Sequence, residues 1–318
     1  MADAGGWSTI ESDEGVFTSL VENLGVQGIQ FEELISLDPD TIRSLGTVYG
    51  VIFLFKYLRP QPSSSTTTAN SQDGTPADPT TLPESFFFAN QTIQNACGTQ
   101  AILSILLNHD HPTAENNNTP ITLGAELSSF KDFTTGFPSD LRGEALSNSE
   151  AIRTAHNAFA RASPFVDETS RPQPEDEEGD VYHFIAYTPV NGTLYELDGL
   201  QANPISHGAC TTESFPEKVI EVLQRRIARY PETETRFNLM AVVRDLRIRA
   251  QEVGDVEALR TEERKRAAWA WENSLRRSNF VGFIGEVLKG VTGIKEREGG
   301  VDEWVKKAEG ETARRLRR

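Results

Sequence analysis

Apolar positions along this chain fall into helical and strand-like patterns separated by two polar stretches. In "GVFTSLVENLG", Val16, Leu20 and Leu24 recur at helical spacing and Gly25 ends the pattern, which predicts a helix. "GIQFEELISL" is strand-like at its start, and "TVYGVIFLFKYL" reads as a buried strand. Residues 59–85 then carry Ser, Thr, Pro and Gly without apolar periodicity, which predicts a disordered surface loop inside a domain. A second soft stretch, acidic and Pro-containing, covers 163–180. "DVYHFIAYTPV" and "TLYELDGL" flank Asn191-Gly192, a strong hairpin signal. "SFPEKVIEVLQRRIARY" predicts a helix with Ser214 as N-cap and Glu217 closing a capping box. "RFNLMAVVRDL" predicts a strand, and from 246 the sequence turns to long, charged helical pattern, which places a boundary near 245.

At 318 residues the chain has length for a substantial core, and its 24 Gly and 2 Cys exclude collagen-like and disulfide-scaffold classes. No window approaches the ~18 uninterrupted apolar residues of a membrane span. The acidic opening "MADAGGWSTIESDEGVF" lacks the layout of a secretory signal, and two cysteines suit a reducing compartment. Charge is uneven: residues 251–318 carry 15 basic and 13 acidic side chains, which leaves a net −18 on residues 1–250 out of −16 overall. Such a surface disfavours nucleic acid and attracts a basic protein partner, or simply keeps the protein soluble.

Candidate chemistry starts with Cys97 in "QTIQNACGTQAILSILLN", where a polar loop gives way to an apolar helix. At a helix start, a cysteine sulfur meets unpaired backbone N–H groups and the positive dipole end, a setting that makes a nucleophile; the alternative is a small buried hydrophobe. Cys210 has no such helix and reads as structural. Of five histidines, His109 and His111 fall in a polar loop and are expected to be solvated, with no metal partners at ligand spacing. His156 lies in a helical stretch where it could pack or cap, and His207 stands in a Gly-containing loop. His183 lies within the hairpin strand. A two-residue Asn191-Gly192 turn pairs Val190 with Thr193, and the same register sets Asp198 opposite Ile185 and diagonal to His183 on one face. Pairing would satisfy both groups and would fix the imidazole tautomer; a satisfied His–Asp pair without catalytic role remains the alternative. Gln91, six residues before Cys97, carries an amide that could face a developing oxyanion together with the Cys97 N–H.

"FFFANQTIQNACGTQAILSILLN", "DVYHFIAYTPVNGTLYELDGL" and "GGWSTIESDEGVFTSLVENLGVQGIQFEEL" resemble the ubiquitin C-terminal hydrolase family of cysteine deubiquitinases over most of residues 5–245. The resemblance implies an α+β fold with an antiparallel sheet between helices, the papain-like core of that family, and thiol chemistry without cofactor or metal. It implies Cys97 as nucleophile, His183 as general base and acid, Asp198 as the group orienting the imidazole, and Gln91 as oxyanion donor. Domain 1–245 would be catalytic, with 162–180 as a crossover loop above the active site, and 246–318 a helical extension for partner docking. In that extension, Phe280, Phe283, Ile284, Val287, Leu288 and Val291 share one helical face. It resembles the extension of the proteasome-associated members, which dock onto a proteasomal ubiquitin receptor or a chromatin-remodelling subunit. The implied partner is ubiquitin and its conjugates, in cytoplasm and nucleus. The alternatives are a non-catalytic ubiquitin-binding adaptor and a hydrolase of another ubiquitin-like modifier.

Overall fold

The computed structural model describes residues 6–57, 73–114, 116–160 and 181–315. In chain order the elements are α1 (Glu14–Asn23), β1 (Ile29–Glu33), α2 (Pro39–Ser44), β2 (Val48–Lys56), β3 (Thr75–Pro76) and α3 (Cys97–Leu106). They continue with α4 (Gly124–Thr134), α5 (Ser139–Asn148), α6 (Glu150–Asn157), β4 (Tyr182–Val190), β5 (Thr193–Leu197) and β6 (Ile205–Ala209). The rest are α7 (Phe215–Ile227), β7 (Asn238–Arg244), α8 (Leu246–Val253), α9 (Val256–Arg277), α10 (Val281–Glu298) and α11 (Val301–Arg315). No described helix is long and apolar enough to cross a membrane.

The strands form one sheet, ordered β1-β7-β2-β4-β5-β6-β3 and antiparallel at every pairing. Each face supports its own core. Phe17, Leu20, Ile52, Ile102 and Leu106 pack on one side with α1 and α3, while Phe53, Phe55, Ile185, Val219 and Leu223 pack on the other with α7. Because helices cover both faces, β2 reads "VIFLF" without polar alternation, and the sequence gives a continuous apolar run in an antiparallel strand. Asn191 and Gly192 take φ of 50° and 75°, the paired left-handed conformations of a type I′ turn. Val190 pairs with Thr193 and Ala186 with Leu197, the register expected from that turn.

Three expectations are corrected. Residues 59–72 lie outside the described residues, but 73–85 are ordered. Thr75–Pro76 pairs with β6, Ala77 N–H donates to Pro204 O, and Asp73 pairs with Arg225 and Arg229. These bonds offset the ordering entropy that composition alone left unmet. The capping box at α7 does not form: Ser214 takes a helical conformation and its hydroxyl instead accepts from Thr211 N–H at 2.9 Å, while Glu217 pairs with Arg43.

The boundary also moves. The described chain divides into two compact units, the first running to Arg276 and the second holding α10 and α11. α8 and α9 belong with the sheet. Trp269 is buried against Gly15, and its Nε1 donates to Glu14 at 3.1 Å. Asn273 donates to Gly15 O, and Arg276 to Glu11 and Asp13. Residues 269, 273 and 276 share one face of α9, but that face mixes apolar and polar groups, so hydropathy does not mark it. The expected crossover loop, 162–180, lies outside the described residues.

Candidate active site

Cys97 is the first residue of α3, the most deeply packed helix of the first unit, with Gly98 through Leu106 all buried. No side chain caps that helix end, so the first-turn N–H groups remain directed at the loop before it. Asn95 turns the chain into the helix with φ of 67°, a conformation asparagine tolerates, and its amide donates to Trp7 O. Cys97 is half-buried and borders a cleft of about 650 Å³ shared with Gln91, Asn95, Tyr182, His183 and Leu200.

Across the cleft, His183 stands near the start of β4, 4% exposed. Its Nε2 meets Asp198 Oδ1 at 2.7 Å, and the ring lines the same cleft as the Cys97 sulfur. With Nε2 held by the carboxylate, Nδ1 is the ring nitrogen left for the cleft that the sulfur borders. Phe55 and Tyr57 both place a ring about the imidazole at 5.8 Å, edge to face, which limits its rotation. Burial works against the charged ring, but hydrogen bonds and negative charge from Asp198 and Cys97 push His183 up to about 9. Asp198, 3% exposed, also accepts from Leu200 N–H at 3.0 Å. Burial opposes its charge, yet the bond to His183 and these neighbours hold its carboxyl below the usual range.

Gln91 lines the same cleft as the sulfur. Its backbone N–H donates to Gly199 O at 2.7 Å and its Nε2 to Ile93 O at 2.9 Å. One amide hydrogen is thereby committed and the other is left for a ligand in the cleft. Of the four site residues read from the sequence, Cys97 of α3, His183 of β4 and Gln91 of the loop before α3 line one cleft, and Asp198, just after β5, stands behind His183. A thiol and an imidazole on one cleft, a carboxylate behind the ring, a helix-start N–H and a lining amide are the parts of acyl transfer through a thioester.

The other histidines divide. His111 is half-exposed beside Asp110, as expected of a polar loop. His156 packs: it is fully buried, with Nε2 donating to Ser8 O and Nδ1 accepting from Thr99. His109 is not solvated but 1% exposed, donating to the Thr188 hydroxyl. Burial pushes it down to about 3, so it is neutral at pH 7. His207 lies on β6 rather than in a loop, its side chain buried against Glu196. Among the described residues no group of three or more His, Cys, Asp or Glu is placed to hold a metal ion. Cys210 is buried under α7, as a structural thiol.

Gly199 is a site residue that sequence reasoning missed, although "LDGL" carries it. A Cβ there would fall 2.2 Å from Gln100 Nε2 and 3.0 Å from Gln91 Cβ. Gln100 cannot yield freely, since its amide is buried and donates to Ala89 O. Gly199→Ala is expected to displace both Gln91 and Asp198. It should cost about 1–3 kcal/mol of stability and about tenfold or more in turnover, read by thermal unfolding and steady-state kinetics. Wild-type behaviour in both would contradict this packing.

The family model described as ubiquitin carboxyl-terminal hydrolase, family 1, matches residues 7–228, and one described as ubiquitin carboxyl-terminal hydrolases matches 254–292. The chain is 48% identical over 289 residues to ubiquitin carboxyl-terminal hydrolase 2 of Schizosaccharomyces pombe, covering 89% of this chain and 90% of that protein. It is 38% identical over 308 residues to ubiquitin carboxyl-terminal hydrolase ubh-4 of Caenorhabditis elegans, covering 91% and 88%. Among solved structures, Trichinella spiralis UCH37 bound to ubiquitin vinyl methyl ester superposes with a TM-score of 0.61 at 33% identity, covering 85% of this chain and 99% of that one.

Proposed function

The chain belongs to family 1 of the ubiquitin carboxyl-terminal hydrolases, in its long form, and is a cysteine ubiquitinyl hydrolase; on that premise we propose that Cys97 cleaves the bond after the C-terminal glycine of ubiquitin. The Cys97 proton passes to His183, the sulfur attacks the glycine carbonyl, and the Cys97 N–H and Gln91 amide receive the oxyanion. His183 then gives its proton to the leaving amine. Water, deprotonated by His183, attacks the thioester, and the sulfur leaves and regains its proton. One observation carries this reading: His183 is held by Asp198 at 2.7 Å on one side and shares one cleft with the Cys97 sulfur at the start of α3. That a Trichinella relative is bound to a ubiquitin vinyl ester supports ubiquitin as the protein seated against this cleft. The test is fluorophore release from a ubiquitin C-terminal amide by the full chain. Steady turnover is expected, and none from ubiquitin or from other ubiquitin-like modifiers would contradict the assignment.

The second unit serves recruitment in this reading, placing the enzyme at the proteasome in cytoplasm and nucleus, with a proteasomal ubiquitin receptor or a chromatin-remodelling subunit as partner. Its support is α10, which leaves Phe283 68%, Ile284 53% and Leu288 50% exposed. A contiguous apolar face of this kind marks an interaction surface. Phe283→Glu with Ile284→Glu in the full chain is expected to lower co-purification with proteasomes at least tenfold while leaving ubiquitin-amide turnover unchanged. Undiminished co-purification would overturn the docking role.

A further inference from the structure

Behind the His183–Asp198 couple lies a second buried polar cluster that the proposed reaction does not use. Glu196 stands two positions before Asp198, so both carboxylates project from the same face of the ribbon, roughly 7 Å apart along the chain. Glu196 is 1% exposed and Arg226 of α7 is 3% exposed. Arg226 Nη1 donates to Glu196 Oε1 at 2.5 Å, and Glu196 Oε2 accepts from Tyr187 OH and pairs with His207 Nε2, each at 3.1 Å. The guanidinium lies over the Phe55 ring, 4.6 Å from its centre, and that ring in turn meets the His183 imidazole at 5.8 Å and 82°. Arg226 thus reaches both members of the couple: His183 through Phe55 and Asp198 through its charge.

A buried ion pair is weak evidence for stability, since desolvation offsets its attraction. The pair here is placed where its charges act on the site. We propose that the Glu196–Arg226 pair is a positioning device for the His183–Asp198 couple, with Arg226 propping the imidazole through Phe55 and each charge cancelling the other's field at the ring. The inference rests on the catalytic reading of His183 and Asp198 given above. Glu196 alone would set a second buried negative charge beside Asp198; Arg226 alone would set an uncompensated cation beside an imidazole that must become one. Among the described residues, Cys97 from α3 and Tyr57 after β2 also face the couple, and Tyr230 after α7 faces it through Phe55 and Arg226. Tyr187 and His207 face it from β4 and β6 through Glu196. The pH limb assigned below to the couple follows His183 because Asp198 holds it raised, and burial together with nearby charge keeps Tyr187 and Tyr230 protonated above it.

The test is the pH profile of kcat/KM on the ubiquitin C-terminal amide for full-length Glu196→Gln, Arg226→Gln and the double variant, with Cys97→Ser as control. Removing the carboxylate leaves the cation, so the alkaline limb is expected to fall by about one pH unit in Glu196→Gln; removing the cation should raise it by a similar amount. In the double variant the limb returns to that of the parent. A merely structural pair would lower activity in both single variants without moving the limb in opposite directions, and that result overturns the proposal. If Arg226→Gln does not fold, the near-isosteric Glu196→Gln decides alone: an unmoved limb overturns the proposal. Turnover by Cys97→Ser would instead overturn the underlying catalytic reading, which keeps the two failures distinct.

Discussion

Cys97→Ser is expected to lower turnover of a ubiquitin C-terminal amide by at least 10³-fold while ubiquitin binding persists. Serine is nearly isosteric, so α3 and its buried face are undisturbed, and the loss isolates the nucleophile. A hydroxyl beside His183 surrenders its proton far less readily than a thiol. Losing a member of such a unit removes several kcal/mol of transition-state stabilisation, about 10³-fold or more in rate. The measurement is single-turnover and steady-state kinetics of both proteins with ubiquitin affinity determined in parallel. Turnover within tenfold of the parent would remove the sulfur from the mechanism, and lost affinity would show that the substitution disturbed the cleft rather than the chemistry.

Asp198→Asn is the second large effect, and its sign follows from the site. Burial alone would drive the His183 ring toward neutrality; the bond and charge of Asp198, with those of Cys97, overcome it and push the group up to about 9. A group raised in this way keeps its proton below that value and loses it as pH rises through it. The imidazolium needed to protonate the leaving amine is therefore present at pH 7, and the alkaline limb of kcat/KM is expected near 9. In Asp198→Asn the charge is gone and an amide replaces the carboxylate that selects the tautomer. The alkaline limb should fall by about two pH units, and the maximal rate by about 10²–10⁴-fold. A profile superimposable on the parent's would show that Asp198 only fills space. The same sign applies to stability: the favourable contribution of the charged His183 is fully present below about 6.5 and is lost as pH rises through about 9.

How much of this was legible in the sequence depended on whether the signal was local. Asn191-Gly192 sets a hairpin register by turn geometry alone, and counting along that register brings Asp198 diagonal to His183, where they bond at 2.7 Å. Cys97 sits where a polar loop meets an apolar run, and that transition is the start of α3. What failed rested on distant partners, with one local exception at Ser214. His109 looks solvated among Asn, Asp and Pro, yet Thr188, far along the chain, receives its N–H beneath the sheet. His207 looks like a loop residue because its partner, Glu196, is reached only by strand pairing. Ser214 carries a capping-box spelling, but the competing Thr211 turn takes its hydroxyl. Gly199 and the face of α9 that meets Gly15 were hidden because close backbone approach leaves no mark on hydropathy.

The central claim is that one sulfur, at the start of α3 and on the cleft it shares with His183, forms the covalent intermediate. Ubiquitin bearing a C-terminal electrophile, incubated with the full chain and followed by peptide mass spectrometry, tests it most directly. The account predicts a single ubiquitin adduct, on the peptide holding Cys97, lost when His183 is replaced by alanine. An adduct on Cys210 instead, or ubiquitin binding with no adduct at all, would contradict it.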